Sequence, residues 1–236
     1  LNLQNARDKM ETLNIKYEEM RKTPSNTNEH IECLKNYSSQ CEHITETGVD
    51  TVITTWAFLK GLSENNSEKK RLLSIDLKYH RNIELVKYIA SKTGIDFTFK
   101  QEDDLKVEIE QTDLLFIDTW HVYGHLKREL ELYGPNVKKF IILHDTTIDS
   151  QYGECIRNIH HVLVNKLYST GAMTVEDVGA TVQDLVNIAE TNNYSMKDVT
   201  HGLWEAVEEF LSSHSNEWIL DHRYTHNNGL TILKRI

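Results

Sequence analysis

Leu114-Leu115-Phe116-Ile117-Asp118-Thr119-Trp120-His121 is an apolar run that ends in an acid, with an imidazole three residues further on. Phe140-Ile141-Ile142-Leu143-His144-Asp145-Thr146 repeats the plan, closing on a histidine and an acid. Continuous apolar runs of this kind fit strands buried on both faces, as in a parallel sheet. Charges at a strand end are costly if buried unpaired, so a purely structural sheet has no need of them.

Similar runs lie at residues 43–49, 71–77 and 96–100, with helical periods between them at 53–62, 82–93 and 122–133. That alternation implies βαβ units and a mostly parallel sheet. Two further strands, 217–224 and 229–234, are joined by Thr225-His226-Asn227-Asn228, and Asn-Asn-Gly signals a tight turn. They read as an antiparallel hairpin at the sheet edge. The expected fold class is α/β, a Rossmann-like, seven-stranded, mostly parallel sheet with an antiparallel C-terminal hairpin and helices on both faces.

Residues 1–40 read as an N-terminal helical arm, with one helix over 1–22 stopped by Pro24 and a short one over 29–37. Its charged, amphipathic character suits packing or an oligomer contact. Residues 41–236 form the main domain. Within it, about 154–200 carries no strand pattern and reads as a helical insertion or lid, followed by a helix over 201–212.

Composition narrows the function. The 236 residues are 39% hydrophobic and 26% charged, which is globular. A net charge of -10 argues against nucleic acid and anionic membranes, which select basic patches. It is compatible with a neutral small molecule or a sugar. Cys33, Cys41 and Cys155 form no metal spacing and no disulfide framework, so a reducing, cytoplasmic setting is expected. No apolar run approaches the ~18 residues of a transmembrane helix. The chain opens at Leu1 with no initiator Met, which suggests a processed chain or a domain of a longer polypeptide, fused to other domains.

Ligands of open α/β sheets bind beyond the carboxyl ends of the strands. The residues there are Glu46 and Gly48, Asp76, Asp103 and Asp104, Asp118 and His121, and His144 and Asp145. Gly48 admits a close backbone approach. Asp76 suits a ribose diol, because a carboxylate accepts two hydroxyl hydrogen bonds. Asp118 and Asp145, on neighbouring strand ends, suit one hard cation. His121 is placed to take a proton from a hydroxyl that the cation acidifies.

The segments 116–123, 126–130 and 141–146 resemble the cephalosporin-hydroxylase-like and macrolide-sugar O-methyltransferases, within the class I superfamily that uses S-adenosylmethionine (SAM). The tail, 202–211 and 227–233, resembles that family's last helix and hairpin, and Glu46-Thr47-Gly48 with Thr54-Thr55-Trp56-Ala57 resembles its first SAM motif. The resemblance implies Asp118 as a metal ligand and His121 as general base. It implies Asp145 and the residue before it, here His144, as further ligands of Mg2+ or Mn2+. It places Glu46 and Gly48 near the amino-acid part of SAM, Asp76 at the ribose, and Asp103 or Asp104 on the adenine side. The implied acceptor is a sugar hydroxyl of a glycan or glycoside, such as a 6-deoxyhexose like rhamnose. Asp50, Thr51 and Val52 stand where the family has more glycine, and His144 stands where some members have an acid.

Three rivals are weighed. A nicotinamide-linked oxidoreductase needs G-x-G-x-x-G after the first strand, which is absent. A methyltransferase fold kept only for binding fits the lost glycines. A non-sugar acceptor fits the same site. Among other candidates, His160-His161 are adjacent and do not share a helix face. Trp56 and Trp204 read as core residues. Tyr123 reads equally as helix packing or substrate mouth, and His226, near the hairpin, reads first as a structural residue and second as a neighbour of the acceptor.

Overall fold

The computed structural model describes residues 2–236, with side chains from Met10 onward. Leu1, and the side chain of Leu3 that entered the helical reading of the arm, lie outside the described residues.

Seven strands form one sheet: β1 (His43–Thr47), β2 (Lys70–Asp76), β3 (Ile95–Gln101), β4 (Thr112–Ile117), β5 (Val137–His144), β6 (Trp218–Tyr224) and β7 (Leu230–Arg235). Their order is β3-β2-β1-β4-β5-β7-β6. β1 to β5 pair in parallel, and β7 is antiparallel to both β5 and β6. The helices are α1 (Asn2–Lys22), α2 (Ile31–Ser38), α3 (Ile53–Glu64), α4 (Ile83–Lys92), α5 (Tyr123–Tyr133), α6 (Glu154–Thr170), α7 (Val175–Thr191), α8 (Met196–Thr200) and α9 (Leu203–Ser213).

β4 shows why the apolar runs are continuous. All six of its residues are buried. Leu114 and Phe116 face a core shared with Phe58 and Leu59 of α3, while Leu115 and Ile117 face Leu126 and Leu130 of α5 and Phe210 of α9. Helices thus cover both faces, and each face takes alternate residues.

The C-terminal hairpin ends the sheet as expected, with β6 outermost and β7 between β5 and β6. Burial explains the order. Ile232 and Leu233 of β7 are wholly buried, whereas most of β6 is exposed. The turn behaves as its sequence suggests. Asn227, Asn228 and Gly229 have φ of 47°, 66° and 97°, the left-handed region that Asn and Gly tolerate best.

The N-terminal arm is built into the main core. Leu13 of α1 and Ile31 and Leu34 of α2 are fully buried in the same cluster as Ile44 and Trp56. Each such side chain contributes about 1.5–3 kcal/mol of burial. Segment 154–200 folds into α6 to α8. Thr174 and Asp177 form a reciprocal capping box on α7, and Ser195 and Asp198 form another on α8. Val122, Cys155, Leu185, Ala189 and Val199 pack together, so this segment roofs the loop after β4. Among the described residues, no helix is long and apolar enough to cross a membrane.

Candidate active site

Asp118, His121, His144 and Asp145 converge where β4 and β5 end side by side. Asp118 leaves β4 with its amide nitrogen donating to the Thr47 carbonyl at 2.9 Å, which ties the ends of β1 and β4 together. His121 Nε2 lies 3.1 Å from Asp118 Oδ1. His121 Nδ1 lies 3.1 Å from Asp145 Oδ2, 3.3 Å from Asp149 Oδ2 and 3.3 Å from Glu154 Oε2. His144 Nδ1 lies 3.4 Å from both Asp118 Oδ1 and Asp145 Oδ1. Asp145 itself takes φ 56°, a strained setting for a side-chain-bearing residue that turns the chain sharply after β5.

Charge dominates this cluster. Burial lowers the pKa of His121, but Asp118, Asp149 and Asp145 more than reverse it and push it up to about 11. Burial likewise opposes charge on His144, and Asp118 and Asp145 overcome it, raising His144 to about 10. Asp118 answers in the other direction. Burial raises its pKa, but His144 and His121 outweigh that and hold it below the usual carboxylate range.

The cluster is not saturated by its own hydrogen bonds. Among the described residues, His121 Nδ1, His144 Nδ1 and Asp145 Oδ1 are buried with no well-aligned partner. Buried polar atoms are normally satisfied, so three orphans in one cluster call for a ligand. Asp118, His144 and Asp145 place one donor atom each within 4.8 Å of one another, and so do His121, Asp145 and Asp149. Carboxylates with imidazole suit a divalent cation.

Sequence reasoning missed three members. Asp149 is wholly buried, and Arg157 holds it from the first turns of α6. Glu154, the first residue of α6, faces His121, and burial raises its pKa. Asp149 lies four residues after Asp145, a spacing that pointed to the same site. Arg157 and Glu154 lie in the segment read as an insertion, which carried no motif.

The residues expected to touch the cofactor have other duties. Glu46 is fully buried, and its carboxylate accepts from Thr54 at 2.6 Å, Thr55 at 2.9 Å and Ser74 at 2.6 Å. It pins α3 to β1 and β2 and presents nothing to a ligand. Gly48 is required by the protein's own backbone. A Cβ there would lie 1.8 Å from the Asp118 carbonyl oxygen, and φ is 78°. Asp76 Oδ2 accepts from the amides of Val49 and Asp50, and Oδ1 from that of Lys78. That commits three of about four acceptor positions.

Asp103 caps the turn after β3 by accepting from Leu105 N, and it pairs with Lys106. Asp104 is engaged in the protein's own contacts. It is buried against His125 Nε2 at 3.0 Å, with Tyr194 OH on the other ring nitrogen. Glu129 completes that group and accepts from Thr47 and Thr119. These atoms have partners, so the group reads as a polar core that ties α5 to the roof.

Of the remaining candidates, Trp56 is core and Tyr123 is buried, donating to Glu209. Trp204 is half-buried beneath the Arg223 guanidinium, 3.4 Å from the ring centroid. His160 and His161 are exposed. His226 contributes its carbonyl to His30.

No protein-family model matches the chain, and no curated protein matches it. Solved structures do. A Corynebacterium glutamicum protein is 12% identical with a TM-score of 0.53, over 97% of this chain and 89% of that one. An O-methyltransferase from Bacillus cereus, solved with SAH, is 11% identical with a TM-score of 0.50, over 97% and 91%. A Staphylococcus aureus protein described as a caffeoyl-CoA O-methyltransferase is 14% identical with a TM-score of 0.50, over 96% and 92%. The chain has the class I methyltransferase fold. At these identities the likeness speaks for the fold, and activity must be argued from the site.

Proposed function

We propose that this chain transfers a methyl group from SAM to a hydroxyl oxygen, with a sugar of a glycan or glycoside as acceptor. The observation that carries this reading is the convergence of Asp118, His121, His144 and Asp145 at the strand ends, with three of their buried polar atoms unpartnered. The D-x-x-H and His-Asp-Thr motifs support the sugar acceptor, and the fold supports SAM.

Asp118, Asp145 and His144 would hold a divalent cation. When bound, such an ion lowers the pKa of an acceptor hydroxyl. The side chains of Asp118 and His121 are 22% and 15% exposed, so both are open to an acceptor. His121 takes the hydroxyl proton on a ring nitrogen as the oxygen attacks the methyl group, whose bond to sulfur breaks with the electron pair going to sulfur, leaving SAH. Asp149 and Asp145, facing Nδ1, stabilise the imidazolium that forms. With its carboxylates uncompensated, His121 keeps a proton at neutral pH, so its action as a base depends on their charge being offset. Positioning of acceptor and donor supplies much of the remaining rate.

A binding module that has kept the fold is the second reading. Asp76 is largely spent on backbone amides, and Glu46 is sealed, which favours it. Calorimetric titration with SAM and SAH, with and without Mg2+ or Mn2+, separates the two. Binding followed by transfer of labelled methyl to a glycoside is expected. Absence of heat with both ligands under all conditions overturns the enzyme reading.

A further inference from the structure

His144 is held from behind by the N-terminal arm. Its Nε2 lies 3.0 Å from the backbone carbonyl of Asn26, in the loop between α1 and α2. A carbonyl only accepts, so Nε2 carries a proton in either charge state of the ring, and Nδ1 is the nitrogen turned toward Asp118 and Asp145.

That loop is itself clamped. Asn227 Nδ2 donates to the Ser25 carbonyl at 2.8 Å. His30 Nε2 lies 3.1 Å from the His226 carbonyl and 3.2 Å from that of Asn227. The arm, the hairpin turn and the end of β5 therefore fix one ring orientation.

The His144 side chain is 0% exposed, and its Nδ1 and Asp145 Oδ1 are both buried without a hydrogen-bond partner. A protonated Nε2 on a carbonyl is how proteins commonly set a histidine to offer its other nitrogen to a metal.

We infer that this centre selects a first-row transition ion over magnesium, because His144 enters it as an Nδ1 donor locked by the Asn26 carbonyl. The inference rests on the reading of the site as a cation centre. Magnesium is a hard ion that prefers oxygen ligands and keeps its waters, whereas imidazole suits the later first-row ions such as iron, nickel and zinc. Two carboxylates with one buried imidazole, in place of an all-oxygen set, tilt the choice.

The test is calorimetric titration of the whole chain, without SAM, using MgCl2, MnCl2 and CoCl2, with visible absorption of the Co2+ form as a second readout. Co2+ is expected to bind about 10-fold or more tighter than Mg2+, with Mn2+ between the two. His144→Asp is expected to contract that ratio by about 10-fold and to alter the Co2+ absorption. If His144→Asp fails to fold by circular dichroism, His144→Asn removes the nitrogen while keeping an oxygen donor, and the same contraction is expected. Equal or tighter Mg2+ binding by the wild type overturns the inference, as does an unchanged ratio in the variant. Binding of SAH with no divalent ion bound overturns it while leaving methyl transfer standing. Binding of Mn2+ without SAH leaves it standing and removes the methyltransferase reading.

Discussion

Arg157 grips Asp149 through two hydrogen bonds, Nε to Oδ1 at 2.8 Å and Nη2 to Oδ2 at 2.9 Å. Asp149 is fully buried and faces His121 Nδ1, so the fork reaches the candidate base through one carboxylate. Removing one partner of a buried pair leaves the other charge uncompensated. Arg157→Leu is therefore expected to cost about 2 kcal/mol, discounted for the one-third exposure of the arginine. Chemical denaturation measures it. Arg157→Lys keeps the charge but loses the fork, and should recover only part of the loss.

His121→Ala is expected to lower kcat by about 10²–10⁴-fold with little change in SAM affinity. Steady-state assay with labelled SAM checks it. Activity near wild type would remove His121 from the role of base.

Glu46 imposes a pH dependence on the fold. Burial lifts its pKa to about 7 from the ordinary 4.5, more than the Ser74, Thr54 and Thr55 hydroxyls pull it down. A raised carboxyl pKa favours the folded state while both states are protonated. That contribution is complete below the unfolded pKa and fades as pH rises from about 4.5 to about 7, by about 3 kcal/mol in total. Glu46→Gln should flatten this fall. Urea midpoints at about pH 5 and about pH 8 would differ less in the variant than in the wild type. An unchanged difference would assign the pH effect elsewhere.

The loop after β1 stores strain. Asp50 and Val52 have φ of 41° and 68° without being glycine. Asp50 is exposed, so Asp50→Gly should stabilise the chain by about 0.5–1 kcal/mol, read as a rise in Tm. Val52 is wholly buried, and its lost burial would offset the relief, so Val52→Gly should not stabilise.

Leu13 of α1 is fully buried in the core that holds Ile44 and Trp56. Leu13→Ala is expected to cost about 2–5 kcal/mol in denaturant titration, the loss of a true core residue. A cost under about 0.5 kcal/mol would make the arm an appendage instead.

The sheet was legible because its central strands β4 and β5 are double-buried apolar runs, announced in Leu114–Ile117 and Phe140–Leu143. Strand ends also announced the candidate site, since Asp118, His121, His144 and Asp145 follow those runs directly. What escaped the sequence is what depends on distant segments. Asn26 reaches His144 across 118 residues, and Asp104 turns to His125 on another element. Gly48 was singled out for the close approach of a ligand, and the atom that approaches it in the fold is the Asp118 carbonyl oxygen. Sequence likewise could not show that Asp50 and Val52 adopt the left-handed backbone glycine would take there.

β7 enters the sheet beside β5 only after the whole α6–α9 region has been made. Thr146 and its partner hydroxyl on Thr231 are 85 residues apart. A growing chain thus displays the open edge of β5, with the apolar run Phe140–Leu143, long before its cover exists. Unpaired apolar edges recruit other strands. Until β7 arrives, β5 carries the open-edge hazard that a folded sheet removes by pairing.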